Sequence, residues 1–355
     1  MAKYLIKNGR VWDGHRFMQA DVLTDGMQIA AIRPEITEEA NFVFDATGKI
    51  VTAGLVDLHV HLKGIAPVQW GAPADMSSLP FGVTAVNDAG SSLGDKAFLD
   101  ALTVKSTVFV SAKVEDNHVD FALTEERLAR YGDRAIGLKL YFDTSGGQSR
   151  DITPLREVCD YARSKGLMVM VHCSGSPTPM VDIVDTLAPG DVLTHVFHGG
   201  DNTCVDNDFA ALRLAKEKGV VLDAGFAAQS HTDFGNFRDA VAAGFLPDTI
   251  STDLTCTSVY RRGGYYGLPM CMSMAKEVGM SEEQIMAAVT SAPAKALGKA
   301  DSWGCLKEGG IADIAVLEYA EEAFSLTDRR GNVLESDMGY RCVLTLADGF
   351  LVYRR

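Results

Sequence analysis

A His-x-His pair ends an apolar segment near the start of the chain, in the run Gly54-Leu-Val-Asp-Leu-His-Val-His61. Side chains on a β-strand alternate between its two faces, so His59 and His61 would point to the same side and could share one metal ion. A buried pair that only satisfies hydrogen bonds in a core would use the same residue types. The pair alone leaves both interpretations open.

Four further side chains that can bind metal lie at or near the C-terminal ends of short apolar runs. They are Lys139, His172, His195 and Asp253. Each has an ordinary structural explanation by itself, because a histidine can satisfy a core hydrogen bond and an aspartate often caps the next helix. Six such residues at corresponding positions favour one shared metal site over six separate structural roles.

The elements that must position these residues are strands and helices in alternation. Helices predicted over 154–163 and 209–218 are each followed by glycine before the next strand, as helix C-termini prefer. Near-continuous apolar strands joined by helices predict a parallel sheet, and eight such units close into a (β/α)8 TIM barrel of about 250 residues, with the active site at the C-terminal strand ends. We therefore predict an α/β barrel over residues 53–302. Its strands are predicted over 54–61, 81–86, 107–111, 135–141, 167–172, 192–195, 220–224 and 249–253.

The two ends of the chain predict a second, smaller unit. Residues 1–52 contain short apolar runs, and Asn8-Gly9 between two of them predicts a hairpin turn. The tail segments 313–318 and 340–353 also have the character of strands. We predict a small β-sandwich domain, built from residues 1–52 and 303–355, with a structural role.

Composition excludes several classes of partner. The formal net charge of -14 and the pI near 5.0 argue against binding to nucleic acid or to an anionic membrane, which need basic patches. No segment predicts a signal peptide or a membrane span. The seven cysteines, an odd and scattered set, fit a reducing compartment. We expect a cytoplasmic homo-oligomer that acts on a small-molecule substrate.

Taken together, the residues resemble the amidohydrolase superfamily over nearly the whole chain. That superfamily carries His-x-His on the first barrel strand, a bridging carboxylated lysine on the fourth, histidines on the fifth and sixth, and an aspartate on the eighth. Segments 289–298 and 309–316 also resemble its C-terminal signatures. Segments 195–199 and 251–254, with the overall length, are most similar to a dihydroorotase-like branch often labelled amidohydrolase/deacetylase metallohydrolases. The residues at the superfamily positions are His59, His61, Lys139, His172, His195 and Asp253.

The resemblance implies a centre of two divalent metal ions. Nitrogen and oxygen donors suit zinc, with manganese, iron and cobalt as alternatives. A lysine is protonated at neutral pH, so Lys139 would have to lose its proton and react with carbon dioxide to become a carbamate. A snorkelling or salt-bridged lysine is the alternative. One metal would be held by His59, His61 and Asp253, the second by His172 and His195, with the carbamate of Lys139 as the bridge.

Metal ions at such a centre would lower the pKa of a bridging water and polarise a substrate carbonyl. Asp253 would act as general base and then as general acid, and a ligand without proton transfer is its alternative role. We predict a binuclear metal-dependent hydrolase of an amide or ester, and within that class a deacetylase of a small carboxylate-bearing molecule. The alternatives are a cyclic amidase of the dihydroorotase or hydantoinase type, a mononuclear deaminase-like enzyme, and a binding protein without metals.

Substrate contacts are predicted from the loops that follow the strand ends. Dihydroorotases carry His-x-His-x-Arg, whose arginine grips the substrate carboxylate, and this chain has Lys63 at that position. Arg150 and Arg261 are two further cations that could bind a carboxylate, and an ordinary loop role is the alternative for each. The other candidates at strand ends are Tyr141, Asn202, His198, His231, Tyr260 and Arg262.

Overall fold

The computed structural model describes residues 2–62, 70–91, 94–227, 230–260 and 266–355. None of the described helices is long and apolar enough to cross a lipid bilayer. The strands are β1 (Lys3–Trp12), β2 (Phe17–Asp25), β3 (Gln28–Arg33), β4 (Phe42–Asp45), β5 (Ile50–Ala53), β6 (Leu55–Val60), β7 (Val83–Ala89), β8 (Lys105–Ala112), β9 (Val114–Glu115), β10 (His118–Val119), β11 (Ala135–Tyr141), β12 (Met168–His172), β13 (Val192–Thr194), β14 (Val221–Asp223), β15 (Ile314–Thr327), β16 (Val333–Ala347) and β17 (Phe350–Arg354). The helices are α1 (Ala74–Ser78), α2 (Lys96–Asp100), α3 (Phe121–Tyr131), α4 (Thr153–Lys165), α5 (Met180–Thr186), α6 (Asp206–Lys218), α7 (Phe234–Ala242), α8 (Cys256–Tyr260), α9 (Leu268–Glu277), α10 (Glu282–Val289) and α11 (Ser291–Ala296), with 3₁₀ turns at Leu79–Phe81 and Gly132–Arg134.

A parallel sheet of seven strands forms most of the barrel, in the order β6-β7-β8-β11-β12-β13-β14. The helices lie between these strands, and both predicted helices are present as α4 and α6. Each ends at a glycine with positive φ, Gly166 at 67° and Gly219 at 73°, a conformation that costs glycine little. The sequence therefore sets where these helices stop and the next strand begins.

The eighth barrel segment closes the ring without forming a regular strand. Thr249 bridges Asp223 at the end of β14, and Leu254 bridges Val60 of β6. The amide of Asp253 donates to the carbonyl of His59 at 2.8 Å, which joins the last segment to the first strand. Asp253 has a φ of 50°, and this left-handed residue interrupts the extended conformation of a strand. The predicted fold class, a barrel with a β-rich unit from both chain ends, is confirmed.

Both chain ends contribute to one further sheet of eight strands. Its order is β17-β16-β15-β5-β1-β2-β3, and β4 also pairs with β1. Strand β5 lies at the centre, parallel to β1 and antiparallel to β15, so the N-terminal and C-terminal parts of the chain meet there. The buried side chains of Val22, Val51, Ile314 and Leu344 belong to its hydrophobic core. The sheet and the barrel are thus joined directly where β5 leads into β6.

The hairpin predicted at Asn8-Gly9 is wrong. Strand β1 continues through both residues, and the pairing with β2 shows a β-bulge between Ile6 and Gly9. Asn8 takes a left-handed φ of 60°, which a hairpin turn would also use. The Asn-Gly pair therefore indicated the backbone conformation correctly, but a β-bulge uses it here. A Cβ on Gly9 would lie 2.4 Å from Cγ2 of Val51, so glycine here permits the close packing of β5.

The turn between β15 and β16, residues 328–332, reaches the barrel. Its Asp328 carboxylate accepts a hydrogen bond from the amide of Phe234 at 3.0 Å, at the start of α7. Arg329 donates its amide to the carbonyl of Thr232 at 2.9 Å. Arg330 forms an ion pair with buried Asp233 at 2.8 Å. The C-terminal hairpin therefore holds the loop that precedes α7, on the C-terminal side of the barrel.

Replacing Gly54 by alanine is expected to destabilise the fold by about 1–3 kcal/mol, the usual cost of overpacking a core. A Cβ at this junction of β5 and β6 would lie 2.0 Å from Oγ1 and 2.8 Å from Cβ of buried Thr84, so side-chain rotation cannot relieve the clash. Urea unfolding would measure the loss. Gly146→Ala, whose Cβ would lie 4.0 Å from Oδ1 of Asp143, is the control. Equal unfolding midpoints for the two variants would contradict the packing argument.

Candidate active site

The six predicted ligands converge at the C-terminal end of the barrel. Val56 and Leu58 of β6 pack outward with Leu297, just after α11, while the alternate residues His59, on β6, and His61, directly after it, face inward. A cavity of about 220 Å³ lies at this end of the barrel. All six predicted ligands are buried, and all except Lys139 line this cavity. The described residues that line it are His59, His61, Trp70, Tyr141, His172, His195, Ala227, Ser230, His231, Asp253, Thr255, Thr257 and Ser258.

His59, His61 and Asp253 form one compact group of donors. Oδ1 of Asp253 lies 2.8 Å from Nε2 of His61 and 3.2 Å from Nε2 of His59. Burial opposes ionisation of Asp253, but the charges and hydrogen bonds of the two histidines outweigh it and hold the pKa of this carboxyl well below its usual range. Two imidazoles and one ionised carboxylate are a donor set that suits a divalent metal ion.

Lys139 lies on β11 beside this group and is fully buried. Its Nζ lies 3.4 Å from Nε2 of His59, and no carboxylate of the described residues lies within 4.0 Å of it. Burial lowers the pKa of Lys139 to about 8, although Asp253 and Asp223 favour its charged form. The alternative of a snorkelling or salt-bridged lysine does not describe this residue. The lowered pKa increases the fraction of this amine that is neutral at pH 7.

His172 and His195 belong to a second group of donors, which His231 completes. Nε2 of His172 lies 3.0 Å from the carbonyl of Ser174, and Nδ1 of His195 lies 2.7 Å from the carbonyl of Gly225. Burial lowers the pKa of His172 and His195 well below the ordinary value and that of His231 to about 4, so all three imidazoles are neutral at pH 7. Sequence reasoning placed His231 only among loop candidates, because nothing in its spacing to the other histidines marks it.

A network of hydroxyl groups orients His59 from behind. Nδ1 of His59 lies 2.9 Å from Oγ1 of Thr194, and this hydroxyl donates to Oδ2 of Asp223 at 2.7 Å. Thr249 and Ser251 also donate to the Asp223 carboxylate. Because the Thr194 hydroxyl uses its proton on Asp223, it accepts from Nδ1–H of His59, so Nε2 is the nitrogen of this ring that faces Asp253 and the site. Sequence reasoning missed Thr194 and Asp223, and their positions at strand ends β13 and β14 were the available signal.

Replacing Thr194 by valine is expected to weaken metal binding by roughly 10–100-fold, the usual cost of losing an outer partner of a ligating histidine. Valine keeps the shape of the side chain but leaves the Nδ1 proton of His59 without its acceptor. Thr194→Ser, which restores the hydroxyl, is the matched control and should bind zinc as the parent does. Zinc titration against a chromophoric chelator measures both affinities. Equal affinity of the valine variant and the parent would show that this network does not orient His59.

Asp57 fixes the position of the segment that carries Asp253. Its carboxylate accepts from Oγ1 of Thr252 at 2.6 Å and from the amide of Thr252 at 3.1 Å. Burial raises the pKa of Asp57 to about 7, although these hydrogen bonds favour its ionised form. The same inward face therefore carries Asp57, which anchors the neighbouring segment, two residues before His59 and four before His61.

The predicted substrate residues fall into three groups. Tyr141 lines the cavity, and its hydroxyl lies 3.3 Å from the carbonyl of Ala89. The structure does not bring Arg150 or Asn202 into the cavity. Arg150 is exposed beside Asp116, and Asn202 donates to the carbonyl of Ser176. Lys63 and Arg261, and also Arg262, lie outside the described residues.

Trp70 is a wall of the cavity that sequence reasoning missed. Its indole lies against the imidazole of His61 with ring centroids 4.2 Å apart, and the residue is 40% exposed. Tyr141 lies on the same side, with its ring centroid 6.5 Å from that of Trp70. The donors thus lie at the bottom of a cavity with an aromatic wall. No motif marked Trp70, which precedes α1 by a few residues and has no neighbour of similar type in sequence.

Comparison with known proteins agrees with this arrangement. A model of the amidohydrolase family matches residues 50–336. A deacetylase of Enterococcus faecalis is 28% identical over 368 aligned residues, which cover 97% of this chain and 97% of that protein. A deacetylase of Agrobacterium fabrum is 29% identical over 346 aligned residues, which cover 88% of this chain and 82% of that protein.

Solved structures share the fold over the full length. A dihydroorotase aligns with a TM-score of 0.85 at 24% identity and covers 99% of both chains. An adenine deaminase aligns with a TM-score of 0.85 at 25% identity and covers 100% of both chains. The family match extends over the barrel that carries every donor described above. The chain therefore belongs to the amidohydrolase family.

Proposed function

We propose that this protein is a metal-dependent hydrolase that removes an acyl group such as acetyl from a small carboxylate-bearing molecule. The observation that carries the proposal is the pair of adjacent donor groups in one cavity. Oδ2 of Asp253, in the first group, lies 4.0 Å from Nε2 of His195, in the second. The deacetylases of E. faecalis and A. fabrum, similar over most of their length, support the choice of acyl transfer to water.

The residues present fit two divalent metal ions. The donors are buried, the histidines of the second group are neutral, and Nδ1 of His61 and Nδ1 of His231 are buried without a hydrogen-bond partner among the described residues. Nitrogen and carboxylate donors suit zinc, which we propose as the metal. When bound, the ions supply an acidic water molecule and polarise the substrate carbonyl.

We propose that Lys139 carries a carbamate. Its neutral amine nitrogen forms a bond to the carbon of carbon dioxide, one proton leaves to solvent, and the product is an anion with two oxygens. The lowered pKa of Lys139, to about 8, favours the neutral amine that this step requires. The absence of a carboxylate within 4.0 Å among the described residues leaves the group without another fixed anion to pair with. A carbamate here would lie beside Nε2 of His59 and supply anionic oxygens to the centre.

Asp253 is proposed to move the proton in the reaction. Its carboxylate is ionised at neutral pH, because His59 and His61 hold its pKa well below the usual range. Asp253 accepts a proton from the attacking water as the C–O bond forms. The same carboxyl then donates that proton to the leaving nitrogen or oxygen as the bond to the acyl carbon breaks. The carboxylate is unchanged at the end of the cycle.

The cavity supports a small substrate. Its volume of about 220 Å³ is below the roughly 300–1,000 Å³ of ordinary ligand pockets. Among the described residues that line it there is no lysine or arginine. We therefore keep Lys63 and Arg261, outside the described residues, as the proposed partners of a substrate carboxylate. Tyr141, which lines the cavity, is proposed to contact the acyl group or the substrate backbone.

The test is hydrolysis by metal-reconstituted protein of a mixed panel. The panel contains N-acetyl amino acids, O-acetyl hydroxy acids, dihydroorotate and hydantoins, and Asp253→Asn protein is the blank. Release of acetate from the acyl substrates alone is the expected result. Ring opening alone would replace the proposal by the alternative of a cyclic amidase. Bound metal should amount to two ions per chain, whereas one ion would favour the deaminase-like alternative.

We propose the same domain division that the sequence predicts. The barrel would extend over residues 53–302, and residues 1–52 with 303–355 would form the smaller domain. The direct passage from β5, which ends at Ala53, to β6, which begins at Leu55, supports the first boundary. We also propose a cytoplasmic location and a symmetric homo-oligomer, with a small molecule and neither nucleic acid nor membrane as the partner. The net charge of -14 supports the exclusion of anionic polymers.

A further inference from the structure

The second donor group contains one imidazole more than the sequence predicts. Donor atoms of His172, His195 and His231 all lie within 4.8 Å of one another. The ring of His231 packs against that of His195, with centroids 4.2 Å apart, and against that of His172, with centroids 4.8 Å apart. We infer that His231 is a third nitrogen ligand of the second metal ion, and that this ion does not require the carbamate of Lys139 in order to bind. The inference rests on the proposed metal-dependent function.

The hydrogen bonds of the three rings show which nitrogen atoms remain for a metal. His172 uses Nε2 on the carbonyl of Ser174 and His195 uses Nδ1 on the carbonyl of Gly225, which leaves one nitrogen of each ring. His231 differs, because neither of its nitrogens is hydrogen-bonded to a described residue. Nδ1 is buried without a partner, and Nε2 is 3.8 Å from Oδ2 of Asp253, too far for a hydrogen bond. A bound ion would occupy one of these two nitrogens, so the arrangement favours a ligand role for this ring.

The backbone around His231 is held in place on both sides. Gly199 donates its amide to the carbonyl of His231 at 2.9 Å, and Arg329 donates its amide to the carbonyl of Thr232 at 2.9 Å. A guanidinium nitrogen of Arg329 also lies 3.1 Å from the carbonyl of Ser230. A loop fixed in this way presents its side chain with little loss of conformational freedom on binding. His231 is therefore presented as a preorganised ligand even though it lies in a loop.

The two donor groups differ in chemistry. The first combines His59 and His61 with the carboxylate of Asp253, and it lies directly beside Lys139. The second consists of three neutral imidazoles, a set that binds zinc firmly and leaves a fourth position open. The His231 side chain is only 19% exposed, and its ring packs against those of His172 and His195. We therefore expect one ion to remain when Lys139 cannot be carboxylated.

The experiment uses full-length protein in which Lys139 is replaced by methionine, freed of metal with a chelator and titrated with Zn²⁺ and with Co²⁺. The Lys139→Met protein should retain one ion per chain. Adding His231→Ala should lower the affinity for that ion by more than the roughly 10–100-fold that is lost with an outer hydrogen-bond partner of a ligand. The visible absorption of bound Co²⁺ should change at the same time, because it reports the number of nitrogen ligands. His118→Ala in the same Lys139→Met background removes an exposed histidine and is the matched control.

The outcomes separate this inference from the proposed function. If His231→Ala leaves affinity and the cobalt spectrum unchanged in the Lys139→Met background, the inference is wrong while the function stands. A parent protein that binds no metal would instead overturn the proposed function. If His231→Ala in the parent raises only the KM and not the metal dissociation constant, His231 contacts substrate and the inference is also wrong. His231→Gln, which keeps a polar side chain, is read by the same criteria if the alanine variant does not fold.

Discussion

Asp253→Asn protein should turn over its substrate about 10²–10⁴-fold more slowly than the parent, which is the usual contribution of general acid–base catalysis. Asparagine has the same shape and keeps one oxygen near His59 and His61, so much of the metal should remain bound. Its amide cannot accept the proton of the attacking water or return it to the leaving group. The kcat on an N-acetyl substrate, together with metal content by elemental analysis, measures both parts of this expectation.

The control for this variant is Asp160→Asn, on the exposed side of α4. It makes the same chemical change away from the cavity and should leave kcat and metal content as in the parent. Asp253→Asn protein with parental kcat would assign Asp253 a ligand role only. Protein that loses both metal and activity would show that the carboxylate charge is needed for metal binding, and the proton-transfer role would then lack support.

Lys139→Met protein should lose activity by at least about tenfold, equivalent to about 1.4 kcal/mol in activation free energy, because it cannot form the proposed carbamate. Methionine matches the length of the lysine stem and suits the buried position. Metal-free parent protein reconstituted in buffer without carbon dioxide should remain weakly active until bicarbonate is added. The variant should not respond to bicarbonate. A carbamate carbon signal in the ¹³C NMR spectrum, seen with labelled bicarbonate in the parent only, identifies the group directly.

Lys165→Met is the matched control for the bicarbonate experiment. Lys165 lies at the exposed end of α4, where it pairs with Glu125 at 3.4 Å. Its replacement should leave both the activity and the response to bicarbonate as in the parent. Full activity of Lys139→Met protein with two bound ions would show that the centre assembles without a carbamate, and the proposed role of Lys139 would have to be abandoned.

The barrel could be predicted because the apolar pattern of most of its strands lies within one short run of residues. A run such as 135–141 has its own apolar pattern, and the structure has β11 over the same residues. The eighth run, 249–253, was predicted as a strand, but it only bridges its neighbours, and its last residue, Asp253, takes a φ of 50°. No pattern in the sequence predicts this backbone conformation, which arises from the bonds of Asp253 to β6 and from the anchoring of Thr252 by Asp57.

The parts of the site that were missed depend on contacts between distant segments. Thr194 on β13 contacts His59 on β6, and Asp223 on β14 acts through Thr194; a single sequence does not show such contacts. The turn predicted at Asn8-Gly9 failed for a similar reason, because pairing with β2 and β5 keeps β1 extended through the left-handed residue. Local propensity was overruled by the tertiary packing of a sheet.

The pairing of residues 50–53 with residues 314–317 has a consequence for how the protein is made. At the roughly 5–20 residues per second of protein synthesis, strand β5 leaves the ribosome on the order of tens of seconds before its partner β15 exists. During that interval β5 presents an unpaired edge on the side that β15 later covers, and such edges are sites of aggregation. The barrel can fold during this interval, but the sheet cannot be completed until the segment with β15, β16 and β17 has left the ribosome. We therefore expect a higher yield of folded protein at low growth temperature, where the rate of aggregation falls more than the rate of translation. We also expect the yield to depend strongly on an intact C-terminal hairpin.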